Sequence, residues 1–194
     1  MRAAGTLYLY GEGGRCTVWS VVAWFQPEYA VRFELSRLRE KYVLIFADNG
    51  FTWNRNFRAD EARAVEEGMR SIGEAQLPAL MKRLADPELI MTAPDFIPGR
   101  AEKTTFRAEG KSQGYVVTLD SANRPSEIIL EPAGQSPSRR ILYSDYTELA
   151  GTLYPKTMQI VLPDGARGIE ARFDTLQIGA MPEGHPKKRR GLLR

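Results

Sequence analysis

The fold is decided by residues 140 to 178, which read RILYSDYTELAGTLYPKTMQIVLPDGARGIEARFDTLQI. Turn-forming residues divide this stretch into three strand-like runs, Ile141–Tyr146, Leu153–Leu162 and Ile169–Ile178. The second division, Pro163-Asp164-Gly165, is a strong hairpin signal. The stretch therefore predicts an antiparallel meander with one face in water and the other against a core.

The third run predicts a local irregularity as well as a strand. Its side chains alternate, with Ile169, Ala171 and Phe173 on one face and Glu170, Arg172 and Asp174 on the other. After Asp174 the phase changes, because Leu176 and Ile178 become the apolar positions. A change of phase within a strand indicates a bulge or bend near Asp174-Thr175.

Eight more strand-like runs precede this stretch. They combine β-branched and aromatic residues with Gly-rich or Asn-Gly turns, such as Gly11–Gly14 and Asp48-Asn49-Gly50, which favour hairpins. Two of them, the second and the fourth, are apolar on both faces. The runs are Thr6–Tyr10, Thr17–Phe25, Tyr29–Leu35, Tyr42–Ala47, Phe51–Phe57, Lys103–Glu109, Tyr115–Asp120 and Glu127–Glu131.

A helical period interrupts the strands between the fifth and sixth runs. Asp60 is placed to cap a first helix over Glu61–Met69, and Ser71-Ile72-Gly73-Glu74 has capping-box spacing for a second. In the second helix an apolar stripe recurs at helical spacing, although Pro78 delays or kinks its start. The stripe consists of Leu77, Leu80, Met81 and Leu84.

These elements predict a mainly β (α+β) fold. Eleven strands in hairpin order form a single curved antiparallel sheet, an open, incomplete β-barrel with a helical lid inserted between strands 5 and 6. The helices are the only candidate to cover the inner face of that sheet. If side chains do not fill the interior, it is a pocket for an apolar ligand.

Composition and charge narrow the class of protein. The 194 residues, 43% hydrophobic and 26% charged, suffice for one sizeable core, and no apolar run approaches the length of a membrane-spanning helix. Five of the 27 basic residues lie in Lys187–Arg194, which leaves 22 against 24 acidic residues in the body. Because a nucleic-acid-binding domain spreads its positive charge over a folded face, no nucleic-acid partner is expected.

The sequence predicts two regions, a folded domain over residues 1–180 and a basic tail over residues 181–194. The favoured interpretation of the tail is a solvated terminus. The alternative with most interest is contact with an anionic membrane surface, in which Leu192 and Leu193 enter the interface while the basic side chains meet headgroups.

Catalytic and metal-binding signals are weak. The single histidine, His185, is flanked by Gly184 and Pro186 next to the basic tail, a poor place to hold a catalytic base. Cys16 is the single cysteine, so no internal disulfide forms. Its favoured interpretation is a small apolar filler at a strand start, and the alternative is a reactive thiol if the side chain is exposed. Neither metal nor cofactor is expected, because the aspartates assigned to turns have no histidine partner. These aspartates are Asp48, Asp60, Asp145 and Asp164.

Aromatic residues are the serious candidates for a ligand cavity. They are concentrated in the early strands, where plain core packing is an equally good interpretation from the residues alone. The set is Trp19, Trp24, Phe25, Phe33, Phe46, Phe51 and Trp53.

The chain resembles the bacterial outer-membrane lipoprotein carrier and sorting family, the LolA/LolB-like proteins, over about residues 5 to 178. The features that carry the resemblance are YAVRFE at 29–34, FADNGFTWNRN at 46–56 with the helix pair behind it, YSDY at 143–146 and LYPKTMQI at 153–160. The chain departs from the family in showing no signal peptide or amphipathic helix before the first strand, and in its basic tail.

The resemblance implies an open β-barrel with a helical lid and a non-enzymatic function. The cavity would bind and transfer the acyl chains of a lipoprotein or another lipid, in the periplasm or at the outer membrane, by a protein expected to be a monomer. The ligand-binding residues would be Trp19, Trp24, Phe33, Phe46, Trp53, Leu77, Leu80, Met81 and Leu84. The first alternative is an envelope protein–protein interaction module with a self-packed core, and the second is a hydrolase of lipid esters.

Overall fold

The strands pair into one twelve-stranded antiparallel sheet. The structure is a computed structural model that describes residues 1–11, 15–25, 31–47, 50–53, 72, 90–92, 104–109, 113–132, 138–161 and 167–179. The strands are β1 Arg2–Tyr10, β2 Cys16–Phe25, β3 Val31–Arg37, β4 Glu40–Ala47, β5 Gly50–Trp53, β6 Ile90–Thr92, β7 Thr104–Glu109, β8 Gln113–Leu119, β9 Pro125–Pro132, β10 Arg139–Leu149, β11 Thr152–Val161 and β12 Arg167–Gln177.

The sheet consists of two meanders joined at their first and last strands. Its order is β5-β4-β3-β2-β1-β12-β11-β10-β9-β8-β7-β6, so β1 and β12 lie side by side at the centre. Strands β5 and β6 are consecutive in the chain but occupy opposite edges, and no pairing joins them among the described strands. The prediction of a mostly β, open antiparallel sheet is therefore confirmed.

The sequence predicted eleven strands, and the structure adds β6, which has three residues, Ile90–Thr92. Their pairing with β7 runs from Ile90 opposite Glu109 to Thr92 opposite Arg107. A run this short, followed directly by Ala93-Pro94, gives no alternating pattern to recognise. Predicted strand 6 therefore corresponds to β7, and the segment predicted to be helical lies between β5 and β6 in the order of the chain.

The helical lid stays a prediction. The helix predicted over Glu61–Met69 lies outside the described residues, as does the apolar stripe of the second helix. Ile72 is described: its backbone is helical, and its side chain is 1% exposed within the hydrophobic core of the sheet. None of the described residues forms a helix with the length and apolar character needed to cross a membrane.

The predicted irregularity in the last strand is confirmed as a bulge. Ala4 of β1 pairs with Thr175 and Gly5 pairs with Phe173, so Asp174 is the extra residue of β12. The β12 backbone comes so close that a Cβ on Gly5 would lie 1.9 Å from the Arg172 carbonyl oxygen. Glycine is therefore the residue that this pairing requires. Ile178, predicted on the apolar side after the bulge, follows the strand and is 73% exposed.

One face of the sheet, hereafter the apolar face, carries the hydrophobic core. Alternate residues of strands from both meanders contribute to a single cluster, in which Leu7, Phe33, Leu44, Val117 and Ile128 are at most 1% exposed. Because side chains alternate along a strand, the residues between them point to the opposite face, hereafter the polar face.

The polar face carries charged side chains that pair with one another across and along the strands. Ion pairs join Arg32 to Glu34, Arg107 to Glu131, Arg140 to Glu127 and Arg172 to Glu170. Glu170 was expected in water, but it is 4% exposed and accepts hydrogen bonds from the Tyr10 hydroxyl and from Arg172. A carboxylate is tolerated in such a place because charged and hydroxyl donors satisfy its oxygens.

Candidate ligand-binding face

Trp19 and Phe33, two of the predicted ligand-binding residues, lie together on the apolar face. They are 4% and 0% exposed, respectively, and both belong to the core cluster. Aromatic neighbours meet them edge to face: Tyr42 lies 5.4 Å from Trp19 and Phe25 lies 6.0 Å from Phe33, measured between ring centroids. This geometry is favoured by the aromatic quadrupoles and builds a continuous apolar surface over β2, β3 and β4.

Trp24 points the other way. It lies five residues from Trp19 on β2, so the alternation of side chains places it on the polar face. There its ring is flanked by the guanidinium groups of Arg2 and Arg32, at 5.9 and 5.7 Å from the ring centroid. The prediction that Trp24 faces the same cavity as Trp19 is corrected by this geometry. A strand that is apolar on both faces does not reveal which face meets the core.

The structure does not test the other predicted site residues, which therefore stay predictions. Phe46 and Trp53 belong to β4 and β5, but their side chains are outside the described part of the chain. Leu77, Leu80, Met81 and Leu84 also lie outside it. The described residues thus bring together Trp19 and Phe33 from the predicted set.

The second meander contributes as much to the apolar face as the first, and sequence reasoning left it out of the candidate site. Alternation was a signal in β11 and β12, where polar residues flank Met158, Ala171 and Phe173, but β8 and β9 carry apolar residues on both faces. Phe173 also joins the two meanders, with its ring 6.2 Å from that of Phe25. The residues are Tyr115, Val117, Ile128, Leu130, Ile141, Tyr143, Met158, Ile160, Ala171 and Phe173.

The indole nitrogen of Trp19 is a polar atom on this face. It is buried and has no hydrogen-bond partner among the described residues. A buried donor left unpaired costs about 1–3 kcal/mol. The guanidinium of Arg37, an exposed residue, lies 5.7 Å from the centre of the same ring. A donor and a positive charge are therefore close together at one end of the apolar face.

Burial perturbs two tyrosines on and beside the apolar face, Tyr143 and Tyr146. Burial raises the pKa of Tyr143 well above that of an ordinary phenol, and burial also raises the pKa of Tyr146. Tyr146 donates its hydroxyl hydrogen to the Pro125 carbonyl oxygen.

The candidate catalytic and metal-binding residues do not converge in the described part of the chain. Within it, no group of three or more His, Cys, Asp or Glu side chains is arranged to hold a metal ion. Cys16 is exposed at the start of β2, so its interpretation as a buried filler is wrong. Asp145, assigned to a turn, instead lies within β10 and accepts a hydrogen bond from Thr157 at 2.7 Å. His185 is outside the described residues.

A small depression beside the bulge is separate from the core cluster. Its volume is about 270 Å³, and its lining mixes Lys156, Asp174 and Thr175 with Leu149 and Leu176. Pockets that enclose small organic ligands have volumes of about 300–1,000 Å³ and are mostly apolar. The depression is therefore a poorer candidate for a ligand site than the apolar face.

Three solved structures share this arrangement of strands over most of the chain. A domain described as an outer membrane lipoprotein-sorting protein, from Vibrio parahaemolyticus, has a TM-score of 0.57 at 10% identity, covering 94% of this chain and 86% of that one. A LolA superfamily protein from Nitrosomonas europaea has a TM-score of 0.58 at 9% identity, covering 93% and 86%. The fold is LolA-like.

The similarity extends to a third group and is confined to structure. A DUF1329 family protein from Desulfovibrio piger has a TM-score of 0.51 at 8% identity, covering 87% of this chain and 80% of that one. No protein-family model matches the sequence, and no curated protein matches it significantly. The resemblance predicted from the sequence is confirmed as a LolA-like fold, while the identities are too low to carry a function with them.

Proposed function

We propose that this LolA-like chain binds the acyl chains of a lipoprotein or another lipid on its apolar face and transfers them without covalent chemistry. The observation that supports the proposal most directly is the continuous apolar face, built from both meanders. The residues proposed to contact the ligand there are Trp19 and Phe33, with Phe46 and Trp53 from the neighbouring strands. Trp24 is not included, because it lies on the polar face.

The proposal requires a cover that can open. The connection between β5 and β6 has to link opposite edges of the sheet, and Ile72, at the middle of this connection, is buried in the core of the apolar face. We infer that the connection is the lid and that it moves aside when a ligand enters. Leu77, Leu80, Met81 and Leu84 would form its underside, where the flexible Met81 would adapt to an acyl chain.

We propose a location in the cell and an oligomeric state as part of the same function. A carrier of this kind would act as a monomer in the periplasm or at the outer membrane, where acylated proteins need shielding from water. The basic tail would contact an anionic membrane surface through its lysine and arginine side chains. The structural similarity to an outer membrane lipoprotein-sorting domain and to a LolA superfamily protein supports this setting.

Native mass spectrometry followed by lipid extraction tests the proposal. We expect purified protein to carry a stoichiometric lipid or acylated peptide, or to bind added fatty acid after its removal. The matched variants are Val21→Thr on the apolar face and Val22→Thr on the polar face of the same strand. Val21→Thr should weaken acyl binding, because it replaces a methyl group by a hydroxyl on the surface proposed to meet the acyl chain, whereas Val22→Thr should have no effect.

A second candidate function rests on a specific observation. Side chains of the apolar face are already at most 9% exposed, as expected if the chain fills its own core. This favours an envelope protein–protein interaction module. Failure to recover lipid, combined with no binding of added fatty acid or lipopeptide, would exclude the carrier and support the module.

A further inference from the structure

The indole N–H of Trp19 is a donor that lacks an acceptor. Trp19 is 4% exposed, and its nitrogen has no hydrogen-bond partner in the part of the chain that the structure describes. Native proteins leave few buried donors unpaired, and each such group calls for a specific explanation. Burial also separates the nitrogen from bulk water, so a molecule that enters the apolar face is one source of the missing acceptor.

The surroundings of Trp19 define the shape of such a molecule. On one side are apolar side chains, including Leu7, which is paired with Trp19 across the β1–β2 ladder. On the other is Arg37, exposed at the end of β3 with its guanidinium 5.7 Å from the indole ring centre. The ligand that fits has an apolar body and an oxygen-containing end that reaches the donor and tolerates a nearby positive charge.

We propose that the Trp19 indole N–H donates a hydrogen bond to the carbonyl or carboxyl oxygen of the bound acyl group. The acyl chain then extends along the apolar face, and its polar end lies near Arg37. This inference rests on the proposed function, and it adds the oxygen atom that the ligand presents to the protein and the direction in which the ligand binds. A hydrocarbon of the same length would bind less tightly, because it cannot supply the acceptor.

Nuclear magnetic resonance of the full chain tests the hydrogen bond directly. The three tryptophans give three indole N–H signals, and the variant Trp19→Phe identifies the signal of Trp19. The delipidated protein is titrated with dodecanoic acid, methyl dodecanoate and dodecane. We expect the Trp19 signal to move downfield with the acid and the ester but not with dodecane. The Trp24 signal, from the polar face, should stay in place as an internal control.

Affinities measured with the same three ligands give a second, independent readout. Trp19→Phe should weaken binding of the acid and the ester by about fivefold to tenfold more than it weakens binding of dodecane, the difference being the effect of one hydrogen bond. Arg37→Gln should weaken binding of the acid alone, because the ester carries no charge. This comparison distinguishes a free fatty acid from an esterified chain as the natural source of the oxygen.

The outcomes separate the two proposals. If all three ligands bind and the Trp19 signal is equally unaffected by each, the hydrogen bond is refuted while the acyl-binding function stands. If no ligand binds to the wild-type chain, both proposals are refuted. A cooperative thermal unfolding transition and an unmoved Trp24 signal verify that Trp19→Phe is folded, so that a loss of affinity for the acid and the ester beyond that for dodecane supports the hydrogen bond.

Discussion

Ala150 has a backbone conformation that alanine rarely adopts. It forms the two-residue loop between β10 and β11 with Gly151, and both have positive φ angles, 52° and 77°. This is the combination of a type I′ turn, in which Asn-Gly is the preferred sequence. The left-handed conformation costs an ordinary residue about 1–2 kcal/mol, and asparagine tolerates it better than alanine.

Ala150→Asn is therefore expected to stabilise the protein. The gain should be about 0.5–1 kcal/mol in the free energy of unfolding, measured from urea unfolding curves. Ala122→Asn is the matched control, since Ala122 is also exposed in a hairpin turn but does not have a positive φ angle. Equal gains at both positions would show that the turn geometry is not the cause.

Asp120 connects the stability of another hairpin to pH. Its carboxylate accepts hydrogen bonds from the backbone N–H groups of Ala122 and Arg124 and from the Arg124 guanidinium, all at 2.8–2.9 Å. The Arg124 side chain is the largest cause of the lowered pKa of Asp120. Since the folded pKa lies below the unfolded value, the stabilisation is complete above the ordinary aspartate pKa and is lost as the pH falls through the folded pKa.

Asp120→Asn should make this turn insensitive to acid. The amide oxygen of asparagine still accepts hydrogen bonds from the two backbone N–H groups, but the side chain no longer carries the negative charge that pairs with Arg124. We expect the variant to unfold at lower urea concentrations than the wild type at pH 7, and the difference to shrink as the pH falls below about 4. Asp174→Asn, at an exposed carboxylate of the bulge, serves as the control. A difference that persists unchanged at the lowest pH would contradict the assignment.

At the scale of the element, the bulge in β12 controls the contact between the two meanders. Gly5→Ala would place a Cβ 1.9 Å from the Arg172 carbonyl oxygen and 2.7 Å from the Phe173 Cα, both backbone atoms that cannot rotate away. We expect a loss of about 3 kcal/mol or more, measured by chemical unfolding. The control is Gly114→Ala in β8, where the nearest atom is the Glu131 Oε2 at 3.4 Å, on a flexible side chain. A similar loss in both variants would mean that a general property of strand glycines, and not the bulge, causes it.

The sequence allowed the hairpins to be predicted because their turns contain residues with distinctive backbone preferences. Asp48-Asn49-Gly50 does join β4 to β5, with Ala47 paired to Gly50. The bulge was also predictable, since the apolar phase changes at Asp174. The central pairing of β1 with β12 could not be predicted, because the sequence of a strand does not specify which other strand it pairs with. The face of Trp24 and the burial of Glu170 depend on that pairing and on packing, so they could not be predicted either.

At the scale of the whole molecule, protection should decrease from the centre of the sheet to its edges. Strands β1 and β12 each pair on both sides, and the edge strands β5 and β6 have four and three residues. Local opening is easiest where few contacts have to break. We expect hydrogen exchange, followed by mass spectrometry, to be slowest in β1 and β12 and fastest in β5 and β6. Comparable protection at the edges would show that another part of the chain pairs with them.

The position of β1 and β12 also determines the order in which the chain can fold during its synthesis. Arg2 lies opposite Gln177 in the central ladder, 175 residues further along the chain. A ribosome adding about 5–20 residues per second needs on the order of ten seconds or more to make the intervening chain. Throughout that interval the first meander has an unpaired edge at β1, which is open to strands of other molecules. The strand at the centre of the finished sheet is thus the edge of the nascent sheet that is most open to aggregation. A chaperone that binds β1 would be needed most before β12 is synthesised.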